Sequence, residues 1–381
     1  MKPIYLDYNA TTPIDPEVAA AMLPYMREHF GNPSSSHWYG LEARKGVEKA
    51  RGQVAALLNC SPSEIIFTSG GTESNNHAIK GAARLLERKK NHIITSAFEH
   101  PAVMEVCDYL AAGGFEITCV PVDHYGIIDV DALEKAITER TVLISVMHAN
   151  NEAGTIQPIA EIARIARGRG ILCHTDAAQS IGKMTVDVAT LGVDLLSVAG
   201  HKLYAPKGIG ALFIREGIEL EKFMHGAGHE QGRRAGTENV IEIAGLGMAC
   251  EIAKRDLGVN VERMKRSRDM LEEGLLRVVG NARVNGHPEK RLPNTLSVSF
   301  KGIDAGALLQ AMEGLAASAG AACHGNSVEL SRTLFAMAVP VEWARGTIRL
   351  STGKYTTQGE IDRAVEIIAT TVKRLRSGVM E

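Results

Sequence analysis

From about residue 41 to 250 the chain alternates helix-like stretches with short apolar runs, and this alternation constrains the fold more than any other feature. The runs are Ile65-Ile66-Phe67, His92-Ile93-Ile94-Thr95, Val142-Leu143-Ile144-Ser145-Val146, Ile171-Leu172-Cys173-His174, Leu195-Leu196-Ser197-Val198 and Ala211-Leu212-Phe213-Ile214. Each reads as a strand buried on both faces, which requires helical crossovers above and below a mostly parallel sheet. Helices over 41–58 and 75–88 fit the intervals. After about residue 256 the pattern changes to a long charged helix, and the partial alternation of 294–300 predicts a strand of a smaller α+β unit. Thr357 and Glu360 have capping-box spacing ahead of a last helix whose apolar stripe is Ile361, Ala364, Val365, Ile368, Val372 and Leu375.

With 381 residues, two domains, or a large one with a smaller attachment, are expected. Lys plus Arg 42 against Asp plus Glu 44 leaves a net charge of −2, so the chain has no electrostatic footprint for nucleic acid or an anionic membrane. Any anionic ligand must be held by a local site. No apolar run approaches the roughly 18 residues that span a bilayer, and Met1-Lys2-Pro3-Ile4-Tyr5-Leu6-Asp7 lacks a signal-peptide core, so a cytoplasmic protein is expected. The six cysteines are scattered without CxxC pairing, so neither a zinc nor an iron–sulfur site is expected and most read as small buried hydrophobes.

Chemistry-bearing residues cluster where strands end, the place where open α/β sheets bind ligands. Ser69-Gly70-Gly71-Thr72-Glu73-Ser74-Asn75-Asn76 follows a strand and opens a helix, which suits either a phosphate or an ordinary capped turn; it is neither a Walker A loop nor a GxGxxG fingerprint. Asp176, in His174-Thr175-Asp176-Ala177-Ala178-Gln179-Ser180, either faces a protonated ring nitrogen or caps the next helix. Lys202, in Gly200-His201-Lys202-Leu203-Tyr204, sits by an apolar strand that would lower its pKa and make it a nucleophile for an aldehyde, whereas Lys207 reads as a solvated loop residue. His100 follows another strand and could stack on a planar ring, shuttle a proton or bond to backbone. Asn150-Asn151-Glu152-Ala153-Gly154 forms a further polar loop. Cys323, within the small-residue run 316–325, is either an exposed thiol helped by His324 or a buried residue of an alanine-rich helix.

Together these segments resemble the cysteine desulfurase family, pyridoxal 5'-phosphate (PLP)-dependent enzymes of the class V aminotransferase group, over essentially the whole chain. The resemblance rests on Tyr5-Leu6-Asp7-Tyr8-Asn9-Ala10-Thr11-Thr12-Pro13, Gly31-Asn32-Pro33-Ser34-Ser35-Ser36-His37, Gly70-Gly71-Thr72-Glu73, Asn150-Asn151-Glu152, Asp176-Ala177-Ala178-Gln179, Gly200-His201-Lys202, Arg234-Ala235-Gly236-Thr237 and Ile348-Arg349-Leu350-Ser351. It implies an α/β fold of the PLP-dependent transferase, aspartate aminotransferase-like type. A large PLP-binding α/β domain is then expected over 14–255, and a small α+β domain from 1–13 and 256–381 carries the cysteine loop.

The resemblance also implies roles. Lys202 bonds to the cofactor aldehyde, Asp176 pairs with the pyridine nitrogen, Gln179 meets the ring hydroxyl and His100 stacks on the ring as a catalytic residue. Gly71, Thr72 and His201 serve the phosphate, and Thr237 reaches it from the partner subunit of a homodimer. Asn151 and Arg349 grip the substrate carboxylate. Cys323 accepts sulfur from L-cysteine as a persulfide, L-alanine leaves, and the sulfur passes to an acceptor such as an iron–sulfur scaffold or a tRNA thiolation protein. No metal is expected. Two departures stand out: Ala199 occupies the place of a Ser or Thr that binds phosphate, and His324-Gly325 with the segment down to Gly353 is similar to selenocysteine lyases. Selenocysteine lyase, with L-selenocysteine as substrate, is therefore an alternative; a generic PLP aminotransferase and a non-catalytic PLP-fold binding protein are others.

Overall fold

A computed structural model describes residues 2–86, 90–324 and 327–377, apart from the side chains of 86 and 321–330. Seven strands form one sheet in the order Ile65–Thr68, Gly210–Ile214, Leu195–Ala199, Leu172–Asp176, Thr141–Ser145, His92–Ser96, Glu116–Val120. Neighbours are parallel except at Gly210–Ile214, which runs antiparallel to both of its partners. The fold is thus α/β with a mixed, mostly parallel sheet. Adjacent residues point to opposite faces: Ile94, Ile144, Leu196 and Ala211 enter one apolar cluster, and Ile93, Leu143, Leu195 and Leu212 the other. Both faces are covered, which is why these runs are apolar without a break.

The edge strand Glu116–Val120 escapes the apolar pattern. It pairs only with His92–Ser96 and buries only Val120, so its sequence has no reason to be continuously apolar. Helices Trp38–Leu58 and Gly71–Leu86 separate the early strands, each beginning ahead of its expected start. For the second this matters, because the helix now opens directly at the glycines of 70–71.

The charged helix expected after residue 256 is the second half of a longer one, Val240–Val278. Its first half carries small buried residues, Ala244, Gly245, Gly247, Ala249 and Ala253, which let it approach other elements closely: a Cβ on Gly247 would fall 2.6 Å from Ala50 of helix Trp38–Leu58. The far end supplies Leu271 and Leu275 to a third cluster, with Leu296, Val298, Ile348 and Leu350 from a small antiparallel sheet and Ile361, Ile368 and Val372 from helix Gln358–Ser377. The alternation of 294–300 is present in strand Thr295–Phe300, but its polar side is buried too. There Asn285 Nδ2 donates to Ser299 Oγ at 2.8 Å, and the Ser299 and Thr347 hydroxyls lie 2.7 Å apart, so the hydroxyls are satisfied without water. The capping box forms as expected: Thr357 N donates to Glu360 Oε2 and Glu360 N to Thr357 Oγ1.

The segment around Cys323 is not a helix. Ser318–Ala319 pairs with Thr347–Ser351, which holds the chain extended as it enters a two-stranded antiparallel ladder of Ala321–His324 and Ser327–Leu330, with Cys323 opposite Val328. Among the described residues no helix is long and apolar enough to cross a membrane.

Candidate active site

Five strand ends of the large sheet, the N-terminal segment and Arg349 enclose a cavity of about 420 Å³. Ser69 and Gly70, the latter at φ 149°, turn the chain from Ile65–Thr68 into the helix that begins at Gly71, so that Gly71, Thr72 and Asn75 line the cavity from a helix N-terminus. A Cβ at Gly71 would come within 3.2 Å of the Ala199 methyl, which explains the glycine and shows that the missing hydroxyl of position 199 would face this loop.

Lys202 ends a short 3-10 turn, Gly200–Lys202, that follows Leu195–Ala199. Its Nζ donates to the carbonyls of Asn9 at 2.6 Å and Ala10 at 2.8 Å. Burial, reinforced by the Arg349 charge and opposed by Asp176 and Asp7, lowers its pKa to about 8. The lowering anticipated from an apolar setting is therefore present. Lys207, by contrast, is exposed. Burial and then the charges of Lys202, Lys207 and Lys183 hold His201 at about 4, a neutral ring beside Thr11 Oγ1 at 3.2 Å.

Asp176 is buried at the end of Leu172–Asp176. One carboxylate oxygen accepts from Ala178 N at 2.9 Å and the other from Asn75 Nδ2 at 2.7 Å. Among the described residues no helix follows directly, so Asp176 caps none; it braces the following turn and still lines the cavity. Gln179 Nε2 donates to Asn9 O at 3.0 Å, while its Oε1 accepts from Lys183 Nζ at 2.7 Å.

His100 caps helix Pro101–Ala112 through Nδ1, which accepts from Ala102 N at 3.1 Å. The neutral ring then carries its proton on Nε2. Burial lowers its pKa, with Asp176 raising and Lys202 lowering it. Arg349 donates to Asn151 O at 3.0 Å and Asp7 Oδ1 at 2.8 Å, while its buried Nε has no partner among the described residues. Asn151 lines the same cavity.

Of the residues singled out from sequence, Thr237 lies elsewhere: it is exposed and lines a separate cavity of about 200 Å³ with Ser69, Gly208 and Arg234. The side chains of Cys323 and His324, and the whole of Gly325, lie outside the described residues. Three residues that received no role in the sequence reading are central: Asn75, Asn9 and Lys183. Asn9 accepts from Gln179 and Lys202 at its carbonyl, accepts from Lys183 and Asn294 at Oδ1, and donates to Asn151 O and Thr295 Oγ1. The four-residue spacing of Gln179 and Lys183 was a visible signal; nothing local marked Asn9.

Residues 4–364 match the family model described as aminotransferase class-V. The chain is 46% identical over 376 residues to cysteine desulfurase IscS of Dictyoglomus turgidum, covering 98% of this chain and 95% of that relative. It is 48% identical over 379 residues to cysteine desulfurase 2 of Trichormus variabilis, covering 99% and 95%. Among solved structures, a NifS-like protein superimposes with a TM-score of 0.92 at 40% identity over 97% of this chain and 99% of that one. The structure titled SspA in complex with cysteine gives 0.81 at 36% identity over 93% and 100%. The chain belongs to the class-V aminotransferases and, within them, to the cysteine desulfurase family.

The cofactor of this family is PLP, and the residues of the cavity fit it. A buried carboxylate, an amine with pKa about 8, a helix N-terminus kept open by Gly71 and an unpaired guanidinium N–H form a donor and acceptor set matched to a ring nitrogen, an aldehyde, a phosphate and a carboxylate.

Proposed function

We propose that this chain is a PLP-dependent cysteine desulfurase that removes sulfur from L-cysteine, giving L-alanine and a persulfide on Cys323. The observation that carries this reading is a lysine of lowered pKa in the same cavity as Asp176, His100 and Arg349. PLP bound there supplies an electron sink that labilises bonds at the substrate's Cα. Asp176 holds the proton of the ring nitrogen, Gln179 donates to the ring oxygen, His100 lies over the ring, and Gly71, Thr72 and His201 receive the phosphate. Lys202 holds the cofactor and then moves a proton at Cα. Arg349 and Asn151 orient the substrate carboxylate. His100, whose Nε2 carries a proton, can supply it to the electron pair left on carbon when sulfur departs.

Cys323 thiolate attacks the substrate sulfur. The S–S bond forms as the Cβ–S bond breaks, and the electron pair left on carbon is protonated, so L-cysteine plus enzyme thiol becomes L-alanine plus enzyme persulfide. Sulfur then passes to an acceptor protein, an iron–sulfur scaffold or a tRNA thiolation protein in this reading. Thr237, which does not line the cavity of its own chain, serves the partner's phosphate site in a homodimer; sedimentation giving a fully active monomer would contradict that.

The test is Cys323→Ser in the purified PLP-loaded protein. The visible band should persist while alanine release from L-cysteine falls by orders of magnitude, because a hydroxyl stays protonated where a thiol ionises. In the wild type, mass spectrometry should place the added sulfur on the Cys323 peptide. Undiminished desulfuration by the variant would overturn the persulfide role, and activity restricted to L-selenocysteine would make the protein a selenocysteine lyase.

A further inference from the structure

Lys183 is a buried amine that the proposed chemistry leaves unused. It lies in the turns after strand Leu172–Asp176, and its Nζ donates to Gln179 Oε1 at 2.7 Å and Asn9 Oδ1 at 3.0 Å. Among the described residues no carboxylate lies within ion-pair distance of it. Burial, and then the charges of Lys202 and Arg349, push its pKa well below the ordinary lysine range, and both of its acceptors are neutral amide oxygens.

Those two bonds have a consequence for Gln179. With Oε1 taken by Lys183 and one Nε2 proton given to Asn9 O, the amide has one N–H left for the cavity that Gln179 lines. Without Lys183 the Oε1 atom would be a buried acceptor lacking its donor, and the amide would be held by its bond to Asn9 O alone. Asn9 would lose a bond at the same time, and its carbonyl is where both Gln179 and Lys202 dock.

We propose that Lys183 is a positioning residue that keeps the Gln179 amide with its nitrogen, and not its oxygen, toward the ring bound in the cavity. This rests on the reading that PLP binds there with its ring oxygen beside Gln179. A donor at that oxygen stabilises its deprotonated form, and loss of the donor leaves the oxygen more basic. The pH midpoint of the cofactor's visible absorption change should then rise. The charged and titratable groups facing the site are Lys202, His201, Asp176, His100, Arg349 and Asp7, and the substitution leaves all of them in place.

The experiment is a pH titration of the visible band, without substrate, for the PLP-loaded wild type, Lys183→Met, Gln179→Leu and the double variant. Lys183→Met should raise the midpoint by about half a unit or more, and the double variant should match Gln179→Leu alone because both changes act through one amide. A midpoint equal to that of the wild type, or additive shifts in the double variant, would overturn the proposal. If Lys183→Met does not fold, Lys183→Leu carries the same criteria. A wild type with no visible band would instead sink the cofactor reading itself.

Discussion

Lys202 follows a strand paired on both sides within the seven-stranded sheet, and its amine rests on the carbonyls of Asn9 and Ala10. Cys323 belongs to a two-stranded ladder that joins neither larger sheet. A strand with two neighbours has its backbone bonds satisfied within the sheet and fixes what stands at its end, whereas a ladder of two strands is marginal without further packing. The proposed reaction calls for that division. Lys202 must hold a planar cofactor in one orientation, while Cys323 receives sulfur from the substrate and then delivers it to an acceptor.

The change expected to act most strongly breaks the fixed half. Lys202→Ala should abolish the visible band and lower alanine formation by at least the roughly 10² to 10⁴ typical of a lost acid–base group, since no other lysine among the described residues lines the cavity. Lys207→Ala, at an exposed position directly after Pro206 on the loop that follows Lys202, should leave band and rate unchanged. Absorption spectra of the two purified variants decide it. A retained band in Lys202→Ala would remove the contrast between the two halves at its root.

Sequence exposes the fixed half well because a strand buried on both faces must be apolar along most of its length, as Leu195–Ala199 and Thr141–Ser145 are. Strand ends then mark Asp176, His100 and Lys202. Two things escaped. The edge strand Glu116–Val120 is largely uncovered and so carries no continuous apolar signal. Asn9 acquires its importance only through bonds to Gln179, Lys183 and Lys202, which lie 170 or more positions away, and a lone asparagine has no local pattern that announces such partners. The Cys323 segment is hard for the opposite reason: Ala, Gly and Ser suit helix, strand or turn, and pairing of Ser318–Ala319 with Thr347–Ser351 decides the outcome through a long-range contact.

A milder intervention sharpens the comparison through pH. With its pKa lowered to about 8, the Lys202 amine is protonated below that value and neutral above it, and only the neutral amine attacks an aldehyde. The rate at which apoprotein takes up PLP should therefore rise with pH by up to about tenfold per unit below the midpoint and level off above it. Stopped-flow absorbance measures this directly. A rate independent of pH across that midpoint would mean that the amine is neutral throughout the range.

The smallest expected effect concerns Ala199, which places a methyl and no hydroxyl beside Gly71. The Ala199 methyl points at Gly71, so a hydroxyl placed there would lie beside the N-terminus of helix Gly71–Leu86, where the phosphate is proposed to sit. Ala199→Ser adds one oxygen to a buried position. A hydrogen bond to a charged acceptor contributes about 1.5–3 kcal/mol, less the cost of fixing the new side chain and of sharing an anion that already has other donors. The dissociation constant for PLP should thus fall by about threefold to tenfold, well short of the full value. Fluorescence titration of the apoproteins would show it, with thermal unfolding of each to establish that the serine is accommodated. An unchanged constant with unchanged stability would mean that the new hydroxyl is turned onto neighbouring backbone and gives the phosphate no further bond.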